Sequence, residues 1–204
     1  MEIRYYGANC VKFSTKKVSL VVDDTLDKGA SITTDKDIII KTNTTLTYAE
    51  GGFFEVKSPG EYEVSEVSIA GIASKLHFDD NKTSIIYSLH IDGFSVAVLG
   101  HTIGDLKDAQ IEKLGVVDIL VIPVGGHGYT LDAVAAVKLI KEIEPKIVIP
   151  THYNDAKVKY EVEQAPLDEF LKSFGATEVE AIDVLKLKDA TLPDKTQVVV
   201  LNKQ

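Results

Sequence analysis

Histidines are the residues of this chain best suited to acid–base or metal chemistry, and four of the five lie in loops or follow predicted strands. His152 closes the segment 117–153, which reads VDILVIPVGGHGYTLDAVAAVKLIKEIEPKIVIPTHY. An apolar run, a Gly-Gly turn followed by His127, a helix and a second apolar run form a β-loop-α-β-loop unit here. Because chemistry in parallel α/β sheets lies beyond the carboxyl ends of strands, we expect both histidines at that edge.

Other candidate donors also follow predicted strands or turns. They are His101 with the nearby Asp105, and His77 with Asp79 and Asp80. Imidazole and carboxylate groups suit Zn²⁺, Mn²⁺ or Fe²⁺, so one interpretation is that several of these loops converge on a single divalent metal. The other is that they are scattered turn residues. His90 lies inside an alternating strand and is interpreted as structural or solvent-facing.

The elements that must position these residues divide the chain near Gly100. Before it the sequence is almost entirely β, with many β-branched and aromatic residues. Asp92-Gly93 predicts a two-residue hairpin, and Ser58-Pro59-Gly60 predicts a turn whose flanking runs form a hairpin or meander. The apolar run Ile38 to Ile40 predicts a buried strand.

After Gly100 helices alternate with strands. A helix is expected over DLKDAQIEKL, ending at Gly115, and another begins with Thr130 as N-cap and stops at Pro145. Residues 164–174 predict an amphipathic helix, with Pro166 near its first position and Gly175 past its end. Two late strands are expected at VEAIDVLKL and TQVVVL.

Composition limits the class of protein. The 204 residues are 45% hydrophobic and 26% charged, which fits one globular domain over residues 1–204. A net charge of −9 argues against a nucleic-acid partner. The sequence shows neither an apolar run of membrane-spanning length nor a signal-peptide pattern, and its single Cys10 fits a buried thiol in a reducing compartment. We therefore expect no membrane association and a cytoplasmic location.

Several segments together resemble the metallo-β-lactamase superfamily, in particular its compact branch similar to ascorbate-6-phosphate lactonases. They are IRYYGANCVKFSTKKVSLVVDD, SPGEYEVSEVSIAGIAS, Gly104-Asp105, VDILVIPVGG and PKIVIPTHY. The resemblance covers most of the chain and implies an α/β (α+β) fold, a four-layer αβ/βα sandwich with its site along one edge between two sheets. It also implies that His152 is the final metal ligand, Asp105 the carboxylate that bridges two metals, and His77 the middle histidine.

The chain departs from this family at its strongest motif, His-x-His-x-Asp-His. The resemblance places Asn43, Thr45, Thr47 and Tyr48 at the four ligand positions, and no His-x-His occurs anywhere in the sequence. None of these four is a usual ligand for a zinc site of the family type. A degenerate metal site is therefore expected, holding no metal or one divalent ion (Zn, Mn or Fe).

Three functions follow from this departure. One is a non-catalytic binding or scaffold protein, with an unknown small molecule or protein as partner and possible assembly into a homo-oligomer through Phe53-Phe54. A second is a hydrolase of the phosphoester or lactone class with a mononuclear site built from His77, Asp105 and His152. In it His101 and His127 are pocket candidates, and His101 replaces a ligand if its side chain turns inward. A standard two-metal hydrolase ranks last, because the motif is missing.

Overall fold

The computed structural model describes residues 1–25, 30–77, 79, 81–160, 162–176, 178–188 and 192–204. Strands dominate the first half and helices enter only after residue 100, as the sequence predicts. In chain order the elements are β1 (Glu2–Gly7), β2 (Cys10–Ser14), β3 (Ser19–Val22), β4 (Asp37–Ile40), β5 (Phe54–Val56), β6 (Gly60–Val64), β7 (Val67–Lys75), β8 (Thr83–Ile91), β9 (Phe94–Val98), α1 (Asp108–Leu114), β10 (Ile119–Pro123), α2 (Ala133–Ile143), β11 (Ile147–Thr151), α3 (Leu167–Phe174), β12 (Leu185–Lys186) and β13 (Gln197–Val198).

Two sheets pack face to face. The first has the strand order β12-β1-β2-β3-β4-β5, and the second has the order β13-β11-β10-β9-β8-β7-β6. One large core lies between them and draws on both, for example Phe13 and Ile38 from the first and Leu89 and Val121 from the second. Alternating burial along β1 fits this arrangement, because every second side chain points into the shared core.

All three helices cover the outer face of the second sheet. Leu139 of α2 and Phe170 of α3 pack with Leu120 of β10 and Val148 of β11 in a second core. The outer face of the first sheet carries only a small cluster around Cys10, and no helix lies there in the ranges that the structure describes. The predicted sandwich of the metallo-β-lactamase type is confirmed, with one thin outer layer.

The turn at Ser58-Pro59-Gly60 does not join a hairpin, so that prediction is wrong. Its flanking strands enter different sheets, since β5 pairs with β4 and β6 pairs with β7. The hairpin lies one turn later, where Ser65 and Glu66 both adopt positive φ angles, of 49° and 66°. Two consecutive positive φ angles match the twist of paired strands, which a Pro-Gly turn signal does not reveal. The Asp92-Gly93 hairpin is confirmed by the pairing of Ile91 with Phe94.

Several element ends differ from the prediction. Asp132, not Thr130, caps α2, because its side chain accepts a hydrogen bond from the Ala135 amide. Pro166 is the N-cap of α3, not its first helical residue. The two late strands shrink to the pairs Leu185–Lys186 and Gln197–Val198. Cys10 is fully buried as expected, and burial raises the pKa of its thiol well above the usual value. Within the described ranges, no helix has the length and apolar character that crossing a membrane requires.

Candidate functional site

The parallel strands β9, β10 and β11 place two histidines at one edge of the second sheet. β11 ends at Thr151 and is followed by His152, and β9 leads through Gly100 to His101. The His152 amide donates a hydrogen bond to the Ala8 carbonyl, which joins this edge to the loop after β1. The site therefore lies between the two sheets, where strand topology predicts it.

His101 and His152 form the buried centre of an aromatic group with the half-buried Tyr129 and Tyr160, which we call the histidine cluster. The two imidazole centroids are 5.2 Å apart with ring planes at 80°. The ring centroid of Tyr129 lies 5.2 Å from that of His101 and 5.6 Å from that of His152, and the ring centroid of Tyr160 lies 5.1 Å from that of His152. Only 2% of His101 and 4% of His152 is exposed.

Hydrogen bonds orient both imidazoles and fix the position of the ring hydrogen on His152. His152 Nδ1 lies 3.1 Å from Gln164 Oε1, and because the Gln164 amide nitrogen donates to the Val162 carbonyl, Oε1 is the acceptor and Nδ1 carries a hydrogen. Asn9 Nδ2 lies 3.3 Å from His101 Nδ1, while its Oδ1 accepts from the Thr151 hydroxyl. The Asn9 amide therefore donates to His101, and a protonated ring would present a second donor there.

Burial lowers the pKa of both histidines. Desolvation is the main cause for His101, with the neighbouring His152 adding to it, and the pKa falls to about 3. For His152 desolvation outweighs the hydrogen bond to Gln164, and the pKa falls to about 4. Two neutral imidazoles are thus available at neutral pH as hydrogen-bonding groups or as metal donors.

The loop 43–48, to which the resemblance assigns four ligand positions, closes on itself. Asn43 is fully buried, and its Oδ1 accepts hydrogen bonds from the Thr45 amide at 3.0 Å and the Thr45 hydroxyl at 2.7 Å. The Tyr48 hydroxyl donates to the Asn43 carbonyl at 2.6 Å. Thr47 is exposed. This is an Asx-type turn, in which Asn43 Oδ1 and the Thr45 and Tyr48 hydroxyls form hydrogen bonds within the loop, while the buried Asn43 Nδ2 has no hydrogen-bond partner among the described residues.

Asp23, at the end of β3, anchors the same loop. Its fully buried carboxylate accepts from the Thr42 amide at 2.8 Å and the Thr42 hydroxyl at 2.5 Å, and lies 3.2 Å from the Tyr48 hydroxyl. Burial raises the pKa of Asp23 to about 6, and these hydrogen bonds offset part of that rise. Gly100 packs directly on this assembly, because a Cβ there would overlap the Thr42 side chain. Asp24, by contrast, accepts from Ser31 and Thr33 in the following turn.

The remaining predicted histidines lie away from the cluster. The His77 amide donates to the His101 carbonyl, but its half-buried side chain is near Asp132, whose charge partly offsets the lowering of the His77 pKa by burial. His127 is exposed, at a positive φ of 52°. Asp80, named beside His77 in the sequence, is outside the described residues.

Asp105 points away from this edge. Its side chain is 89% exposed, and Oδ1 lies 3.0 Å from the Lys138 ammonium on α2. The structure therefore does not bring the predicted metal set of His77, Asp105 and His152 together, because the Asp105 carboxylate lies on the surface beside Lys138 of α2. In the described ranges, no group of three or more His, Cys, Asp or Glu residues is placed to hold a metal ion. His101 instead lies beside His152.

Replacing Asp105 by alanine should leave the fold almost unchanged. The ion pair with Lys138 is on the surface, where solvent screens it. We expect the melting temperature to shift by less than about 2 °C in differential scanning calorimetry. Lys138→Ala, the matched variant, should behave alike. A large loss of stability in Asp105→Ala alone would show that the carboxylate has a partner other than Lys138.

Sequence reasoning missed most of the residues that support the histidine cluster. Asn9, Tyr129, Tyr160 and Gln164 are common residue types with no motif of their own, and they come from three different loops. For Asn9 the sequence offered one signal, the Gly-Ala-Asn turn after β1. Because β1 and β2 pair in the same sheet, this turn places Asn9 at an edge of that sheet.

The fold and the position of the site define a class, the metallo-β-lactamase-type sandwich with its functional edge between the sheets. Residues 2–152 match the model of the β-lactamase superfamily domain, and the chain belongs to that family.

Named relatives agree with this membership. A UPF0173 metal-dependent hydrolase from Pyrococcus furiosus is 33% identical over 101 residues, which is 47% of this chain and 44% of that protein. The chain thus spans under half the length of this relative. One from Natranaerobius thermophilus is 27% identical over 187 residues, covering 76% of this chain and 84% of the relative.

A solved structure gives the fold over nearly the whole chain. A member of the metallo-β-lactamase superfamily from Thermotoga maritima has a TM-score of 0.78 and 26% identity, covering 98% of this chain and 97% of its own. Igni18, a metallo hydrolase from Ignicoccus hospitalis, has a TM-score of 0.64 at 18% identity, over 92% of this chain and 99% of its own. The latter likeness concerns the fold alone.

The relatives' names imply a metal, and the donors of this chain fit one only in part. His101 and His152 are neutral, and His152 keeps a lone pair on Nε2, as a metal ligand requires. Catalytic zinc sites use three protein ligands, and within the described residues no carboxylate, thiolate or third histidine completes the set. This arrangement therefore does not fit a two-metal site.

Proposed function

We propose that this protein is a metallo-β-lactamase-fold protein with a degenerate metal site, acting as a non-catalytic binding or scaffold protein. The observation that carries the proposal is the loop 43–48, in which Asn43 Oδ1 and the hydroxyls of Thr45 and Tyr48 are taken up by hydrogen bonds within the loop. These oxygen atoms are already engaged within the protein, so binding a cation through them would require breaking these hydrogen bonds. The orientation of Asp105 toward Lys138 supports the same conclusion.

An alternative function is a hydrolase of the phosphoester or lactone class with an altered mononuclear site. It is favoured by relatives named metal-dependent hydrolases and by the free Nε2 lone pair of His152. The donor set that the sequence predicts for that function is His77, Asp105 and His152, which requires Asp105 to leave Lys138 and turn inward. Cytoplasmic location, homo-oligomer formation and the absence of a nucleic-acid partner stay predictions from the sequence.

Metal content separates the two functions. Purified without chelator, the protein should contain less than about a tenth of an equivalent of Zn, Mn, Fe or Ni by elemental mass spectrometry, because the described donors fall short of three ligands. The Pyrococcus furiosus relative, purified in parallel, is the positive control. About one equivalent in this protein, lost in His152→Gln, would contradict the proposal and support the mononuclear hydrolase.

A substrate panel completes the test. Bis(p-nitrophenyl) phosphate and a γ-lactone should be turned over no faster by this protein than by its Asp105→Ala variant, with and without added Zn²⁺ or Mn²⁺. Asp105→Ala suits this comparison because the exposed ion pair is not needed for folding. Metal-stimulated turnover that Asp105→Ala abolishes would rule out the non-catalytic function.

A further inference from the structure

A groove opens between the two sheets at the end opposite the histidine cluster. Its volume is about 920 Å³, at the upper end of the range of ligand pockets, about 300–1,000 Å³. Strand β1 runs from one site to the other: it begins at the groove with Glu2 and ends at the turn that places Asn9 beside His101. The walls are the turns β2–β3, β6–β7 and β8–β9 and the end of β12.

Four lysines line this groove in a chain whose net charge is −9. They are Lys16, Lys17, Lys186 and Lys188, against the carboxylates Glu2, Glu66 and Asp92. All three carboxylates are already paired: Glu66 with Lys17, Glu2 with Arg4 and Lys186, and Asp92 with the Met1 amino group. The groove therefore concentrates positive charge on an otherwise acidic protein, and positive charge raises the local concentration of anions.

Two of these lysines have no charged or hydrogen-bonding partner among the residues that the structure describes. In the part of the chain that the structure describes, neither the Lys16 nor the Lys188 ammonium group makes an ion pair or a hydrogen bond. Both side chains are exposed, one on the β2–β3 turn and the other beyond β12. They are available to an incoming anion without breaking an existing contact.

The floor of the groove is apolar. Four apolar side chains of the core between the sheets lie at it, and its accessible part comes from Val18 and Leu187, with exposures of 8% and 7%, because Val67 and Ile91 are each only 1% exposed. A ligand that fits must therefore have an apolar body for the floor and an anionic group for the rim. This combination of an apolar cavity with a few convergent charged groups is typical of small-molecule sites.

We propose that this groove binds a small organic molecule that carries a phosphate group on an apolar or aromatic body. The Lys16 and Lys188 ammonium groups contact the phosphate, and Val18 and Leu187 contact the body. Lysine is a regular point-charge partner of phosphate, whose several oxygens can accept from two ammonium groups at once. The groove lies apart from the histidine cluster, so this proposal stands or falls independently of the function proposed for that site.

Titration with AMP, followed by ¹H–¹⁵N NMR, tests the proposal. AMP should shift the amide resonances of the β2–β3 turn and of Leu187, while those of His101 and His152 stay unchanged. Lys16→Glu/Lys188→Glu should weaken this binding at least about tenfold, since each charged hydrogen bond contributes about that factor. The matched control is Lys159→Glu/Lys195→Glu, which changes the net charge equally at exposed lysines outside the groove.

Three further arms define the ligand class. Adenosine, which has no phosphate, and inorganic phosphate, which has no body, should each bind at least about tenfold more weakly than AMP. The affinity for AMP should fall as NaCl rises, because salt screens exposed charges. Equal weakening by the two double variants, or shifts that spare the groove, would overturn the proposal. Equal affinity for AMP and inorganic phosphate would overturn the part that assigns a body to the floor.

Discussion

Lowering the pH from 7 to 5 should reduce the free energy of unfolding by about 4 kcal/mol through His101 and His152 together. In the folded state burial holds their pKa values at about 3 and about 4, whereas an unfolded histidine titrates near the model value of 6.5. The unfolded chain therefore binds two protons in this interval and the folded protein does not. A depressed folded pKa adds stability above pH 6.5, and that stability is lost as the pH falls toward the folded pKa.

The contacts of the two rings explain why protonation is resisted. A charged His101 would face the Asn9 amide donor and the neighbouring His152 ring, and no carboxylate of the described residues contacts it. A charged His152 could keep its hydrogen bond to Gln164, which is why its pKa falls less. Protonation of both rings requires that they become exposed to solvent, either by local opening of the histidine cluster or by global unfolding. Acid unfolding is therefore the expected result.

Urea unfolding of matched variants at pH 7 and pH 5 measures this effect. Between pH 7 and pH 5, the free energy of unfolding of His101→Gln should fall by about 2 kcal/mol less than that of wild type, because one titrating group is gone. Any packing cost of the substitution is the same at both pH values and does not affect this difference. His90→Gln is the control, since His90 is an exposed histidine on β8 and leaves the buried pair intact. If His101→Gln and His90→Gln have the same pH dependence, the buried pair is not the source.

Strand order explains why part of the site was predictable from sequence. His152 directly follows a predicted apolar strand, so it had to lie at the carboxyl end of that strand. The parallel pairing of β10 with β11 places it there. Hydrophobic patterns likewise located most strands and all three helices, because burial on a sheet or helix face demands a fixed period. These are properties of local sequence.

Side-chain direction in loops was not predictable in the same way. The sequence left the direction of the His101 side chain open and gave Asp105 a site position, and in the structure His101 turns inward against His152 whereas Asp105 turns outward to Lys138. Both follow β9 within a few residues, so spacing alone does not distinguish them. The difference depends on partners distant in sequence, Asn9 for one and α2 for the other. A motif match gives the backbone position and leaves such partners unspecified.

Replacing Asp23 by asparagine should stabilise the protein at pH 7, by up to about 3 kcal/mol before any loss of hydrogen bonding. The folded pKa of Asp23 is raised to about 6 by burial, against a model value of 3.8. A raised folded pKa favours folding fully below pH 3.8, and that contribution is lost as the pH rises through 6. At neutral pH the buried charge is present, and removing it relieves the cost.

Asparagine can keep the local geometry. Its carbonyl oxygen can accept from the Thr42 amide, and its amide nitrogen can donate to the Thr42 hydroxyl, which accepts as well as donates. Asp23→Ala is the contrasting variant, because it leaves the buried Thr42 amide and hydroxyl without that acceptor. It should destabilise by about 1–3 kcal/mol for each donor left unpaired. Charge removal and loss of the acceptor are thereby separated.

The pH dependence of the two variants decides between an ionised and a neutral Asp23. The gain in Asp23→Asn should shrink as the pH falls from 7 and should be absent near pH 4, where wild-type Asp23 is already protonated in the folded state. Because this contribution opposes that of the histidines, Asp23→Asn should also lose more stability than wild type between pH 7 and pH 5. A gain that is the same at both pH values would mean that Asp23 does not titrate in this range. Destabilisation by both substitutions at pH 7 would instead show that the charged carboxylate is what holds the loop 43–48 to β3.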